Sequence, residues 1–203
     1  MKGLKEDFFL EDGICVARNL LGKIMVREED GETYCFKIVE TEAYMGAEDK
    51  GAHVFENKKT ERTAPLYEIG GTTYIYLIYG MYHCLNIAAN KEGIPHCVLI
   101  RAVQPLDEKA LAFARNNRKI KSKKDTDLTN GPGKLCKALK IDKSLNNQLV
   151  TMKNALWIGE ESQEDFEIVE AKRINIPYAE EYQDKLWRYY IKGNPYVSVI
   201  EKD

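Results

Sequence analysis

The chain has 203 residues, of which 44% are hydrophobic and 31% are charged, and its formal net charge is −2. This composition is typical of a globular protein and excludes disordered and fibrous classes, and the length fits a single domain spanning residues 1–203. No apolar run reaches the roughly 18 residues of a membrane span, and the N-terminus lacks the apolar segment of an export signal. We therefore expect a cytoplasmic protein without a membrane partner, associated with the nucleoid if the source is bacterial.

The first half of the chain alternates between regular elements and one long irregular segment. Asp12 is a suitable N-cap for a helix over residues 12–21, which Gly22 would end. Alternating apolar residues predict strands over 23–28 and 33–44, joined by a short turn. Residues 49–71 lack periodicity and contain glycine, asparagine and proline, so they are predicted to form an irregular loop.

The second half adds a hairpin and several short elements. Strands are predicted over 72–89, with a turn near Gly80, and over 97–102, followed by a helix over 107–118. A glycine-rich break at 130–133 precedes a short helix over 134–139. Further extended runs are predicted at 155–158, 167–171 and 196–199. Because hairpins predominate, we predict one α+β domain with a largely antiparallel sheet, surrounding helices and a protruding β-hairpin.

Cysteine usage argues against disulfides and metal binding. The five cysteines are odd in number, widely spaced and without a Cys-x-x-Cys pair. Most are predicted to be small buried side chains. No cofactor and no metal are expected.

Two carboxylates, Glu40 and Glu42, are two residues apart in a predicted strand, which places them on one face together with Tyr44. A solvated strand face would explain such a pair. A carboxylate beside an aromatic ring in a partly dry cleft could instead act as a general base on water. His53, in the irregular loop, is either an ordinary loop histidine or a group that stacks on a base.

The tyrosine-rich hairpin has two possible explanations. A turn at Gly80 would place Tyr76 opposite Asn86, within one residue, and would leave Tyr79 and Met81 at the tip. Packing of a core explains the neighbouring aliphatic residues, but it does not explain large side chains at a tip. Such side chains resemble wedges that unstack a base step.

Two segments are candidates for contact with a polyanion. Gly131, Gly133 and Lys134 belong to a glycine-rich stretch that opens a helix, so its amides could hold a phosphate or could simply begin the helix. Six of the ten residues from Arg115 to Lys124 are basic and none is acidic. This run is either a solvated surface or a nucleic-acid contact.

The residues alone leave three functions open. The first is an enzyme that acts on a base in DNA. The second is a nucleoside or sugar hydrolase that uses Glu40 and Glu42. The third is a binding module whose tyrosines stack on single-stranded nucleic acid.

Taken together, the motifs resemble those of the mammalian-type alkyladenine (3-methyladenine) DNA glycosylases. The similar stretches occur in order and span nearly the entire chain: Ala17-Arg-Asn-Leu-Leu-Gly-Lys23, Ile38-Val-Glu-Thr-Glu-Ala-Tyr44, Glu48-Asp49, Ala52-His53, Tyr76-Leu-Ile-Tyr-Gly-Met-Tyr82, Leu85-Asn86-Ile87, Val98-Leu-Ile-Arg-Ala102, Gly131-Pro-Gly-Lys-Leu-Cys136 and Gly193-Asn-Pro-Tyr-Val-Ser198.

The resemblance implies a monofunctional enzyme, expected to be a monomer, that flips a damaged purine from double-stranded DNA and hydrolyses its N-glycosidic bond. It implies that Glu42 activates the water and that Arg101 helps to hold the water site. Further implied roles are a base pocket formed by Tyr44, His53, Tyr76 and Asn86, a wedge formed by Tyr79 with Met81 beside it, and a phosphate contact at Gly131, Gly133 and Lys134. The implied substrates are 3-methyladenine, 7-methylguanine and hypoxanthine.

Overall fold

The fold is organised around one antiparallel sheet, seen in a computed structural model that describes residues 1–160 and 165–201. Within these residues the sheet has eight strands: β1 (Ile24–Glu29), β2 (Glu32–Tyr44), β3 (Thr73–Ile78), β4 (Tyr82–Ala89), β5 (His96–Pro105), β6 (Leu156–Gly159), β7 (Ile168–Ala171) and β8 (Arg188–Ile191). The prediction of an α+β fold with a largely antiparallel sheet is confirmed.

The long strand β2 is the centre of this sheet. The strand order is β3-β4-β5-β2-β1-β6, and β8, which carries β7 at its other edge, also pairs with β2. One edge of β2 pairs with β5 along most of its length, whereas the other edge is shared by β1 and β8. Thus the C-terminal half of β2 lies between β5 and β8.

Where the structure describes the chain, three α-helices, α1 (Gly13–Asn19), α2 (Glu108–Asn117) and α3 (Pro132–Ala138), pack against the sheet. The main hydrophobic core contains residues of all three helices together with apolar side chains of β2, β4 and β5. The predicted loop at 49–71 contains the short 3₁₀ turns Phe55–Asn57 and Ala64–Tyr67. Across the described chain, no helix combines the length and the apolar character needed to cross a membrane.

The hairpin of β3 and β4 protrudes as predicted, but its predicted register is wrong. Tyr76 pairs with Cys84, and Asn86 pairs with Tyr74. The chain reverses more tightly than expected because Tyr79 and Gly80 both have positive φ, at 53° and 68°. A left-handed tyrosine is uncommon, so the sequence pattern gave no signal for it.

The C-terminal part of the sheet also differs from the prediction. Residues 196–199 do not form a strand, and the strand that completes this region is β8, which the sequence analysis missed. The backbone amide of Ser198 donates instead to the carboxylate of Glu40 at 2.7 Å. The apolar pattern at 196–199 therefore reflects partial burial of a loop that bonds a side chain.

Asp12 caps α1 as predicted, and this cap supports a stability prediction. Its carboxylate accepts hydrogen bonds from the amides of Ile14 and Cys15 at 2.8 and 2.9 Å. We expect Asp12→Ala to lower the free energy of unfolding in urea by about 0.5–2 kcal/mol. Glu11→Ala, a change at the exposed neighbouring position, is the control and should cost less. Equal losses for the two variants would contradict a capping role.

Candidate active site

A row of directly paired residues crosses five strands and builds the candidate site. Tyr74 pairs with Asn86, Asn86 with Leu99, Leu99 with Glu42, and Glu42 with Arg188. Side chains of directly paired residues point to the same face of a sheet. With strands about 4.8 Å apart, the backbones of Glu42 and Asn86 are therefore separated by about 10 Å.

A cavity lies on this face, and it contains the predicted base-pocket residues. Its volume is about 360 Å³, which includes a part that is open to solvent. Tyr44, His53, Tyr76 and Asn86 all line it. The structure thus brings the four residues together from β2, β3, β4 and the 49–71 loop.

Aromatic rings form one side of the cavity. The His53 ring lies edge-on to Tyr76, with ring centroids 4.6 Å apart, and its Nδ1 is 3.0 Å from the Tyr74 hydroxyl. Although His53 as a whole keeps substantial solvent exposure, partial burial and then the nearby charge of Arg62 lower the pKa of His53 to about 4. The ring is therefore neutral at neutral pH and can donate or accept a hydrogen bond.

Glu42 lies directly behind the cavity wall and has no exposure to solvent. The Tyr44 hydroxyl donates to Glu42 Oε2 at 2.9 Å, and the Ile174 amide donates to Oε1 at 2.7 Å. Burial, followed by the charge of Glu42, holds the pKa of Tyr44 well above its usual range, so the phenol stays a donor. Among the described contacts, Oε2 accepts only this one bond and keeps a lone pair for a proton.

Arg101 supplies the positive charge beside Glu42. Its Nη1 lies 3.1 Å from Glu42 Oε1, and its Nε donates to Glu40 Oε1 at 3.1 Å. Burial opposes the charged guanidinium, but Glu42 and Glu40 outweigh that effect and raise the pKa of Arg101. The predicted placement of Glu40, Glu42 and Tyr44 on one face is thus confirmed, and the explanation as a solvated strand face is excluded by burial.

A second buried ion pair supports the wall formed by Tyr44. The guanidinium of Arg173 donates to both oxygens of Asp49, at 2.5 and 2.8 Å, and both side chains are fully buried. The Arg173 guanidinium also lies over the Tyr44 ring, 4.6 Å from its centroid. This pair fastens the start of the irregular loop to the stretch that supplies the Ile174 amide.

Tyr79 and Met81 lie apart from the cavity, at the tip of the hairpin, as the sequence predicted. Their exposed fractions are 80% and 67%, the largest among the large hydrophobic residues of the described chain. The Met81 amide closes the turn by donating to the Ile78 carbonyl at 3.2 Å. Both side chains are thus presented to solvent on a narrow projection.

Gly133 packs beside Tyr82, next to the hairpin tip, and none of Gly131, Gly133 and Lys134 lines the cavity. A Cβ on Gly133 would come within 2.9 Å of Tyr82 Cβ, so glycine is required for this contact. Lys134 Nζ donates to Asn130 Oδ1 at 2.7 Å. These contacts give the segment a role in packing, and its role as a phosphate contact stays a prediction.

Sequence reasoning missed several residues of the site. Tyr74 and Tyr178 line the cavity, and Arg173, Ile174 and Ser198 hold the buried carboxylates or their partners. Tyr74 could have been found from the correct hairpin register, because it is opposite Asn86. The others lie more than 120 positions along the chain from Glu42, so no local pattern indicates them.

The arrangement combines a buried carboxylate, a fixed cation and an aromatic cavity. The cavity can hold a planar ligand, and the carboxylate behind it can act as a general base that takes a proton from water. The described part of the chain brings together no three histidine, cysteine, aspartate or glutamate side chains in a group that could bind a metal ion.

Comparison with known proteins identifies a matching family and several similar proteins. A model of the family described as "Methylpurine-DNA glycosylase (MPG)" matches residues 7–195. Among similar proteins, one from Natranaerobius thermophilus is 48% identical over 197 residues, covering 97% of this chain and 98% of that protein. One from Clostridioides difficile is 49% identical, covering 93% and 100%, and one from Clostridium tetani is 50% identical, covering 96% and 98%. Each is described as "Putative 3-methyladenine DNA glycosylase".

Proposed function

The chain belongs to the methylpurine-DNA glycosylase family and is a hydrolase of N-glycosyl bonds in DNA, and from this premise we propose that it flips a damaged purine out of duplex DNA into the Tyr44–His53–Tyr76 cavity. Glu42 then activates the water that cleaves the bond. The proposed substrates are 3-methyladenine, 7-methylguanine and hypoxanthine, and the proposed active form is a monomer.

The observation that carries this proposal is the position of the Glu42 carboxylate. It lies one hydrogen bond behind Tyr44, a wall of the cavity, and it is shielded from bulk solvent. A base held in the cavity would place its sugar near the wall and leave the free lone pair of Oε2 for a water molecule. Among the fully buried carboxylates of the described chain, only Glu42 accepts a hydrogen bond from the side-chain hydroxyl of a residue that lines the cavity.

The proposed reaction is a displacement at C1′ of the flipped nucleotide. Glu42 Oε2 accepts a proton from water while the water oxygen forms a bond to C1′. The bond between C1′ and N9 breaks, and its electron pair leaves with the purine; a cationic lesion departs neutral, whereas hypoxanthine departs as an anion that takes a proton from solvent. The ionised Glu42 also stabilises the positive charge that develops on the sugar, and Arg101 holds the carboxylate in place. The products are a free base and an abasic sugar with a hydroxyl at C1′.

Charge on the lesion would contribute to selectivity. Alkylation at N3 or N7 makes the purine a cation, which departs as a neutral base. Stacking of such a cation on a tyrosine face is favourable by roughly 0.5–2 kcal/mol. Hypoxanthine is neutral and gains less from the rings, and its selection depends more on the low cost of flipping a mispaired base.

The hairpin is the proposed DNA wedge, and cations beside it are the proposed phosphate contacts. Met81 and Tyr82 share a groove with Lys137 and Lys140. Arg118, in the basic segment at 115–124, is close enough to Tyr82 to interact with it electrostatically. Because the net charge of the chain is −2, we expect weak binding to undamaged duplex that falls steeply with salt.

The assignment of Glu42 as the general base is tested by measuring excision with the Glu42→Gln variant. With a duplex carrying one hypoxanthine, and without added metal or nucleotide, we expect the single-turnover rate to fall by roughly 10²–10⁴-fold, since the amide cannot accept the proton from water. Abasic product is measured as alkali-labile strand breaks. Glu28→Gln makes the same change in a partly buried carboxylate on β1 and should leave the rate unchanged.

Retention of activity by Glu42→Gln would contradict the assignment. The wild-type protein is also tested on free nucleosides. Cleavage of inosine at a rate equal to that of the duplex would favour a nucleoside hydrolase, and the proposal would then fail.

The wedge is tested separately with Tyr79→Ser. We expect this change to weaken binding to a lesion duplex by roughly tenfold or more, because an aromatic side chain contributes about 1–3 kcal/mol when it stacks on a base. Excision from a single strand carrying the same lesion should change far less. Met152→Ser replaces another exposed apolar residue, in the segment next to the start of β3 and thus away from the hairpin tip, and serves as the control. Equal losses on duplex and single strand would contradict the wedge.

A further inference from the structure

Glu40 is a fully buried carboxylate that does not line the cavity and takes no part in the proposed proton transfer. Its Oε1 accepts bonds from Arg101 Nε, Arg188 Nη1 and Ser198 Oγ at 3.1, 3.2 and 2.9 Å. Its Oε2 accepts from the Ser198 amide at 2.7 Å. Four donors from β5, β8 and the C-terminal segment therefore converge on this one group.

The guanidinium of Arg101 contacts both Glu40 and Glu42. Its Nε faces Glu40, its Nη1 faces Glu42, and its Nη2 donates to Ser198 Oγ at 3.2 Å. All three nitrogens of the planar guanidinium are thus engaged, which fixes its orientation. Without Glu40, two of these three contacts would be lost or weakened, because Ser198 is itself held by Glu40.

Because Arg101 contacts both carboxylates, Glu42 does not receive its whole positive charge. A buried carboxylate that faced Arg101 alone would be strongly stabilised as an anion and would be a weak base. Glu40 takes up part of the same positive charge and adds a like charge on the same strand face. The positive charge of Arg101 is therefore divided between two carboxylates and does not face Glu42 alone.

Other groups around Glu42 do not replace Glu40 in this respect. The other facing groups are Tyr44 on β2 itself and Cys84, Arg173 and Tyr178 on other parts of the chain. Three of them are neutral at neutral pH, and the charge of Arg173 is matched by its ion pair with Asp49. Arg188 contacts Glu40 but makes no described contact with the Glu42 carboxylate.

We propose that Glu40 is a positioning residue that orients Arg101 and, by sharing its charge, keeps Glu42 basic enough to deprotonate water. The inference rests on the proposed role of Glu42 as the general base. In the proposed mechanism, Glu40 itself contacts neither substrate nor water. A purely structural anchor for the C-terminal segment would make the same hydrogen bonds without affecting the basicity of Glu42.

The test is the pH dependence of single-turnover excision by Glu40→Gln, with saturating enzyme and a hypoxanthine duplex. Glutamine keeps an acceptor for the arginines but removes the charge. We expect the acid limb of the rate profile to move to lower pH by about one unit, because a like charge next to Glu42 is gone. The plateau rate should fall roughly three- to tenfold as the base weakens. Binding of the lesion duplex should stay within about twofold.

Two variants separate charge from geometry. Glu40→Asp keeps the charge, so its acid limb should stay at the wild-type position even if the plateau rate falls. Glu28→Gln should alter neither. An acid limb for Glu40→Gln that is unchanged, or that moves to higher pH, overturns the proposal and leaves Glu40 as a structural anchor.

Folding of the variant is checked by its thermal unfolding midpoint. If Glu40→Gln unfolds at the assay temperature, the double variant Glu40→Gln/Arg188→Gln removes both members of the Glu40–Arg188 ion pair and leaves no unpaired charge at position 188. Its acid limb is compared with that of Arg188→Gln alone: the double variant's limb should lie at lower pH, and equal limbs overturn the proposal. Activity of Glu42→Gln, in contrast, would refute the general base itself and not only this inference.

Discussion

Glu40 and Glu42 lie on one face of β2 with no exposure to solvent, and Arg101 is the cation that contacts both. Removing an ion from water costs several kcal/mol even in a relaxed protein, so such a cluster persists only where every charge is paired and hydrogen-bonded. This requirement explains why β8 and the C-terminal segment close over the end of β2: they deliver Arg188 and the amide and hydroxyl of Ser198 to Glu40.

The cavity depends on the same arrangement but draws its walls from less regular parts of the chain. The sheet fixes Tyr44, Tyr74, Tyr76 and Asn86 through paired strands, whereas His53 lies in a loop whose regular structure is limited to short turns. The buried pair of Asp49 and Arg173 fastens that loop to the sheet. A fully buried acid behind the wall and an irregular loop in front of it suit the proposed mechanism, in which a nucleobase enters from outside while the catalytic carboxylate stays shielded from solvent.

Local patterns in the sequence predicted much of the fold. Asp12 as a cap, Gly80 at a turn and the alternation in β2 depend on neighbouring residues, and all three were predicted. The register of the hairpin was not, because it depends on a left-handed Tyr79. The residue roles came from a family resemblance, but the grouping of Glu40, Arg101, Arg188 and Ser198 could not be predicted, because these residues are brought together only by tertiary structure. Strand β8 was missed because its arginine contacts Glu40 and its two tyrosines pack in separate hydrophobic clusters, and no local pattern indicates these contacts.

A crystal structure of the Glu42→Gln variant bound to a duplex that contains hypoxanthine tests the proposed mechanism. We expect the base to lie outside the helix between Tyr44, His53 and Tyr76, with Tyr79 in the vacated space. We also expect C1′ of the flipped nucleotide to lie within reach of a water molecule bonded to residue 42. A base that remains stacked in the duplex, or a C1′ atom on the far side of the cavity from residue 42, would contradict this mechanism.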